Sequence, residues 1–144
     1  MLYSCCIFNR SGDYIFYREW NTSDKYKKQS ESKLKSQMKL MYGFLFSMKR
    51  FAEGISPKPN SQFQSFKTNN YKLHFFESPT GLKFILMTDP NVGNIENILQ
   101  EIYSKLYVEL VVFNPVEKTQ DLITNTLFVK HLDKYLSQLP WFSN

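Results

Sequence analysis

Apolar residues recur along this chain in two distinct rhythms. From Leu2 to Phe8 both alternating sets are apolar (Leu2, Cys6, Phe8 and Tyr3, Cys5, Ile7), the mark of a strand covered on both faces. Asn9-Arg10-Ser11-Gly12-Asp13 reads as a turn in which Gly12 takes positive φ, and Tyr14 to Trp20 returns as a strand nearer an edge, with charge at Arg18 and Glu19. Met38 to Ala52 then switches to helical spacing. A three-strand meander follows: Phe63 to Thr68, short and polar, then Tyr71 to Glu77, then Leu82 to Thr88, with turns at Asn69-Asn70 and Ser78-Pro79-Thr80-Gly81. The third of these places Leu82, Phe84 and Leu86 on one face and Ile85 and Met87 on the other, so it too is expected to be central.

Two helices close the pattern. Ile95, Ile98, Leu99, Ile102, Tyr103, Leu106 and Leu110 form a stripe at 3.6-residue spacing, with Asn94 as cap, Glu96 in the first turn and Asn114-Pro115 as stop. Leu122, Phe128, Leu132, Tyr135, Leu136 and Leu139 form the second, ended by Pro140. Strands buried on both faces and helices on either side of the sheet predict an α+β, layered, mostly antiparallel module of profilin-like or longin-like kind. Periodicity gives the layers and leaves the strand order open.

The first helix is too apolar for a single sheet to cover. At 100° per residue, Leu40, Met41, Phe44, Leu45, Met48, Phe51 and Ala52 share one arc, extended by Met38 and Ile55, that spans roughly 160° where about 100° suffices. Tyr42 and Phe46 fall outside even that arc. Each large side chain left in water forgoes about 1.5–3 kcal/mol of burial, so a second protein is expected to cover the outer flank.

Charge adds a single feature. Of the net +5, three charges fall between Thr22 and Gln37, where Lys25, Lys27, Lys28, Lys33 and Lys35 face Asp24 and Glu31 among four serines. Such a stretch buries too little to offset its ordering entropy, so residues 22–37 read as a mobile basic insertion in one domain over residues 1–144. The 144 residues suit one core without disulfides. No apolar run reaches the 18 residues of a membrane span, and the first ten residues carry no basic leader or small-residue cleavage site, so a cytosolic chain is expected.

Candidate chemistry is sparse. Cys5 and Cys6 are adjacent strand residues on opposite faces, expected as buried small hydrophobes and not as a disulfide. His74 and His131 have no acidic or cysteine partner at ligand spacing, so neither a metal nor a cofactor is expected. The five glycines are scattered, which excludes a phosphate-cradling loop, and Glu96 and Glu101 read as solvated helix carboxylates. The lysines and the aromatics occupy different segments, against a nucleic-acid surface. A catalytic role is not expected.

Several strings carry a resemblance. Lys39-Leu40-Met41-Tyr42-Gly43-Phe44-Leu45-Phe46-Ser47-Met48, Tyr71-Lys72-Leu73-His74-Phe75-Phe76-Glu77-Ser78-Pro79-Thr80-Gly81, Ile102-Tyr103-Ser104-Lys105-Leu106-Tyr107-Val108-Glu109 and Leu132-Asp133-Lys134-Tyr135-Leu136 resemble, in order, segments of the sedlin/synbindin class of TRAPP vesicle-tethering subunits, its smallest member in particular. The hairpin ending in Arg18-Glu19-Trp20 fits as well. The resemblance implies a longin-type, SNARE-like fold: a five-stranded antiparallel sheet with one helix on one face and two on the other. It implies a non-catalytic subunit of a complex that tethers vesicles in ER-to-Golgi traffic and promotes nucleotide exchange on a Rab GTPase through a composite surface. The implied partners are a synbindin-like neighbour, another small TRAPP subunit and the GTPase, with the chain cytoplasmic and peripheral at ER and cis-Golgi membranes. The small longin chain of a cargo-adaptor or coat complex is the alternative. Pairing through the first helix and an edge strand, as the resemblance implies, assigns Leu40, Phe44, Met48 and Phe51 to the partner subunit and Lys49 and Arg50 to the GTPase-facing platform. The lysine-rich insertion is a solvated segment or a contact to anionic membrane.

Overall fold

A computed structural model describes residues 1–20, 31–59, 62–112, 123 and 126–143. Five strands form one antiparallel sheet: β1 (Leu2–Phe8), β2 (Tyr14–Glu19), β3 (Ser65–Lys67), β4 (Lys72–Glu77) and β5 (Lys83–Thr88), in the order β2-β1-β5-β4-β3. The two strands that are apolar on both sides, β1 and β5, lie next to each other in the interior, which covers the most two-sided apolar surface. Chain order puts them apart, and the helix between the two hairpin units allows the return.

One helix covers one face. On that side Cys6, Phe8, Leu73, Phe75 and Ile85 pack under Met38 and Leu45 of α1 (Glu31–Ile55). On the other face Cys5, Ile7, Ile15, Phe84 and Leu86 pack under α2 (Glu96–Glu101), its π-helical continuation Ile102–Val112, and α3 (Thr126–Ser137). The expected layers are therefore present. Leu2 joins Cys5 and Ile7, not Cys6 and Phe8 as strict alternation predicts, because the β1–β5 register slips between Leu2 and Ser4.

Three element boundaries differ from the sequence reading. α1 starts at Glu31, so residues 31–37 of the expected 22–37 insertion are helical, and residues 22–30 lie outside the described residues. The reason is packing: Leu34 and Met38 carry the sheet-facing stripe of Met41, Leu45, Met48 and Ala52 a further turn back, while Lys33 and Lys35 stay on the exposed side. The edge strand shrinks to three residues, Ser65–Lys67. The helix predicted over 95–110 is α-helical only to Glu101. Its wider i→i+5 winding beyond brings Tyr107, absent from the expected stripe, into the core beside Phe84 at 5.9 Å. Leu122 falls outside the described residues, and the side chain of Leu110 with it.

The turns follow their chemistry. Gly12 has φ 93° and Gly81 φ 89°. Gly12 N–H donates to the Asn9 carbonyl at 3.1 Å, and the Tyr42 ring lies so close that an added Cβ would sit 2.8 Å from it. Asn94 is not the cap of α2: the cap falls one residue later at Ile95, which makes no side-chain cap bond, and Asn94 Oδ1 accepts the Glu96 N–H at 3.0 Å from just outside the helix.

Candidate partner interface

α1 divides its apolar residues between two directions. Leu34, Met38, Met41, Leu45, Met48 and Ala52 face the sheet. Leu40, Phe44, Phe51 and Ile55 fall within about 60° of one another on a flank the sheet does not reach. They are 76%, 43%, 61% and 67% exposed. The Phe44 ring meets Phe66 of β3 edge-on at 5.4 Å, so this flank is continuous with the outermost strand of the sheet. An apolar helix flank thus stands beside a strand whose outer edge has no neighbour among the described residues.

Three of the four residues assigned to a partner, Leu40, Phe44 and Phe51, lie on this flank. Met48 does not: it is half-buried against the α1-side core, about 80° round from Leu40. Ile55 belongs to the flank in its place. Lys49 and Arg50 are not brought together. Lys49 Nζ pairs with Glu77 Oε2 at 2.6 Å, with Lys83 Nζ at 3.9 Å from the other Glu77 oxygen, so Lys49 serves to hold α1 to β4. Arg50 projects elsewhere, its guanidinium 5.7 Å from the Phe46 ring centroid.

Tyr42 and Phe46, expected outside the apolar arc, form a ladder of their own. Tyr42 is half-buried against Phe8 at 5.6 Å, and Phe46 stacks on it at 6.3 Å. Lys83 Nζ lies 5.5 Å from the Tyr42 ring and Arg50 caps Phe46, so this side of α1 is finished with cations, unlike the Leu40–Ile55 flank.

Among the described residues no competing chemical site emerges. Cys5 and Cys6 are free thiols, both buried; burial pushes Cys5 up to about 12 and Cys6 well above its ordinary value, so neither presents a thiolate. His74 is buried, with Nε2 2.9 Å from Thr88 Oγ1, and His131 is exposed. Glu101 is not merely solvated: it accepts the Tyr135 hydroxyl, joining the α2 segment to α3. No cluster of metal-ligating side chains occurs among the described residues. Arg18 and Trp20 come together with Asp133 across 113 and more residues of chain: Arg18 grips both carboxylate oxygens at 2.8 Å, and Trp20 Nε1 donates to one of them at 3.0 Å. This ties β2 to α3.

The Sybindin-like family matches residues 2–139. The chain belongs to that family. Among Sybindin-like relatives, "Trafficking protein particle complex subunit 1" of Dictyostelium discoideum is 40% identical over 147 residues, covering 100% of both chains. The Homo sapiens protein of the same name is 43% identical over 138 residues, 95% of this chain and 92% of that one. "Trafficking protein particle complex subunit 4" of Dictyostelium discoideum is 28% identical over 135 residues, 92% of this chain and 94% of that one. Among solved structures, the gliding protein mglB of Thermus thermophilus is similar at a TM-score of 0.47 and 14% identity, covering 72% of this chain and 73% of that one. The Sybindin-like architecture described above rests on this chain's own strand order and layers.

Proposed function

We propose that the chain is a non-catalytic subunit of a TRAPP-type trafficking complex, docked to a related subunit through the outer flank of α1 and the edge strand β3. The exposed row of Leu40, Phe44, Phe51 and Ile55 beside β3 carries this reading. Full-length similarity to proteins named as subunits 1 and 4 of one complex supports a neighbour of the same fold family. Within the assembly the chain contributes to a composite surface that promotes nucleotide exchange on a Rab GTPase in ER-to-Golgi traffic. Such a surface needs no acid, base or nucleophile. It binds the nucleotide-free GTPase more tightly than the loaded one, and by linkage it weakens nucleotide affinity by the same factor. The complex is peripheral, at the cytoplasmic side of early secretory membranes; among the described residues no helix is long and apolar enough to cross one.

The test is copurification of the co-expressed full chain with a subunit-4-like partner. Leu40→Asp with Phe51→Asp, both at exposed positions, is expected to leave the far-ultraviolet circular dichroism and Tm of the chain unchanged and to abolish copurification. Intact copurification of this variant overturns the docking surface. Met48→Asp is not equivalent, because it places a charge in the core.

A further inference from the structure

The outer flank of α1 is symmetric about its own midpoint. Leu40 and Ile55 lie equally far from the point between Ser47 and Met48, and so do Phe44 and Phe51. All four are exposed, and no charged residue falls on the arc they share. A two-fold axis perpendicular to a helix runs its copy antiparallel and brings together residues equally distant from the axis. Placed at this midpoint, such an axis sets Leu40 opposite Ile55 of the other copy and Phe44 opposite Phe51, apolar against apolar throughout.

The sheet edge obeys the same axis. Phe66, the middle residue of β3, meets the Phe44 ring, which stands about one helical turn from the midpoint of the flank. An axis normal to the sheet therefore passes close to the centre of both elements. Thr68 N–H donates to the Tyr71 carbonyl and the Gln64 carbonyl accepts from Phe75, both toward β4. Backbone groups alternate along a strand, so those of Ser65 and Lys67 point outward. An axis through Phe66 sets Lys67 opposite Ser65 of the other copy, not opposite itself, and no like charges meet.

The area places such a contact at the weak end. At 43–76% exposure the four side chains present roughly 500 Å² per copy, so a pair buries about 1,000 Å², the lower bound for a specific interface.

We infer that, in the absence of the related subunit, the flank closes on a second copy of this chain as an antiparallel, two-fold dimer. This rests on the docking reading above: the same flank serves both occupants, one at a time.

The experiment is sedimentation velocity of the full chain alone, from about 5 to about 500 µM. The mass should rise from that of one chain toward twice that value, half-way near about 100 µM, so the few micromolar of an unfolding measurement contain monomer. Leu40→Lys and Ile55→Glu, each alone, should weaken self-association about tenfold. Mixed in equal amounts they should restore it to within about threefold, because the two-fold contact sets the new lysine opposite the new glutamate at one end and leaves Leu40 opposite Ile55 at the other. No rise in mass up to 500 µM overturns the inference, as does a mixture that fails to recover, or undiminished self-association of the Leu40→Asp, Phe51→Asp variant. A subunit-4-like partner should convert the dimer to a complex with one copy of each chain; two copies beside one partner would mean separate surfaces and equally overturn it. A chain that stays monomeric yet loses the partner through Leu40→Asp, Phe51→Asp ends the dimer and leaves the docking surface standing. Recovery in the mixture together with intact copurification of that variant supports the dimer and overturns the docking surface alone.

Discussion

His74 shows how one buried side chain sets a pH response. Thr88 Oγ1 donates to the Asp89 carbonyl at 3.0 Å, so it accepts from His74 Nε2–H, and the ring is held as the neutral tautomer protonated at Nε2. Burial, and next the Lys72 ammonium, lower its pKa to about 4 from an ordinary 6.5. The unfolded chain therefore binds the extra proton first as pH falls. The stabilisation is complete above about 6.5 and is lost through the window from about 6.5 to about 4. The small cavity that His74 shares with Lys72, Asn94 and Glu96 admits some hydration, and the loss is roughly 2 kcal/mol. Urea unfolding at pH 7 and pH 4.5 should show this drop in the unmodified chain and a smaller one in His74→Gln; equal drops would remove His74 as the cause. From the sequence His74 is merely a histidine without metal partners. Its burial needs the Thr88 hydroxyl 14 positions away, which only strand pairing supplies.

At the scale of elements, α1 carries two separable faces. Leu45 is 1% exposed beneath the sheet-facing stripe, and Phe51 is 61% exposed on the flank. Leu45→Ala should cost the isolated chain about 2–5 kcal/mol, and Phe51→Ala at most about 0.5 kcal/mol, by chemical denaturation. A comparable cost at Phe51 would mean that the flank is covered within the chain itself. The excess width of the apolar arc is legible from spacing alone. Which edge of the arc meets the sheet is not, and spacing therefore puts Met48 on the wrong side: a wheel has no absolute direction until a second element packs on it. The same limit explains Lys49. Its spacing puts it on the polar side, and the Glu77 carboxylate that engages it comes from a strand 28 residues later.

For the whole molecule, the consequence of an uncovered flank is a stability that depends on company. A partner that binds only the folded chain stabilises it by RT ln(1 + [L]/Kd), about 2.7 kcal/mol at a hundredfold excess over Kd. The Tm of the chain should rise by several degrees on adding a subunit-4-like partner, increase further with partner concentration, and stay fixed for the Leu40→Asp, Phe51→Asp variant. A concentration-independent Tm would contradict assembly through this flank.

The sequence by itself determined the layers. Two-residue alternation and 3.6-residue stripes record which faces must leave water, and those local periods were enough to predict five strands in a mostly antiparallel sheet with helices on either side, while the division into one helix and two was implied by the family resemblance. They were enough as well to mark the first helix as too apolar for one neighbour. Tertiary structure alone decided the strand order β2-β1-β5-β4-β3, the extra turn of α1 at Glu31, and the flank of α1 that faces outward beside β3. The physical reason is common to all three: a period fixes what a residue's own element presents, while pairing, register and exposure depend on partners brought together from distant parts of the chain.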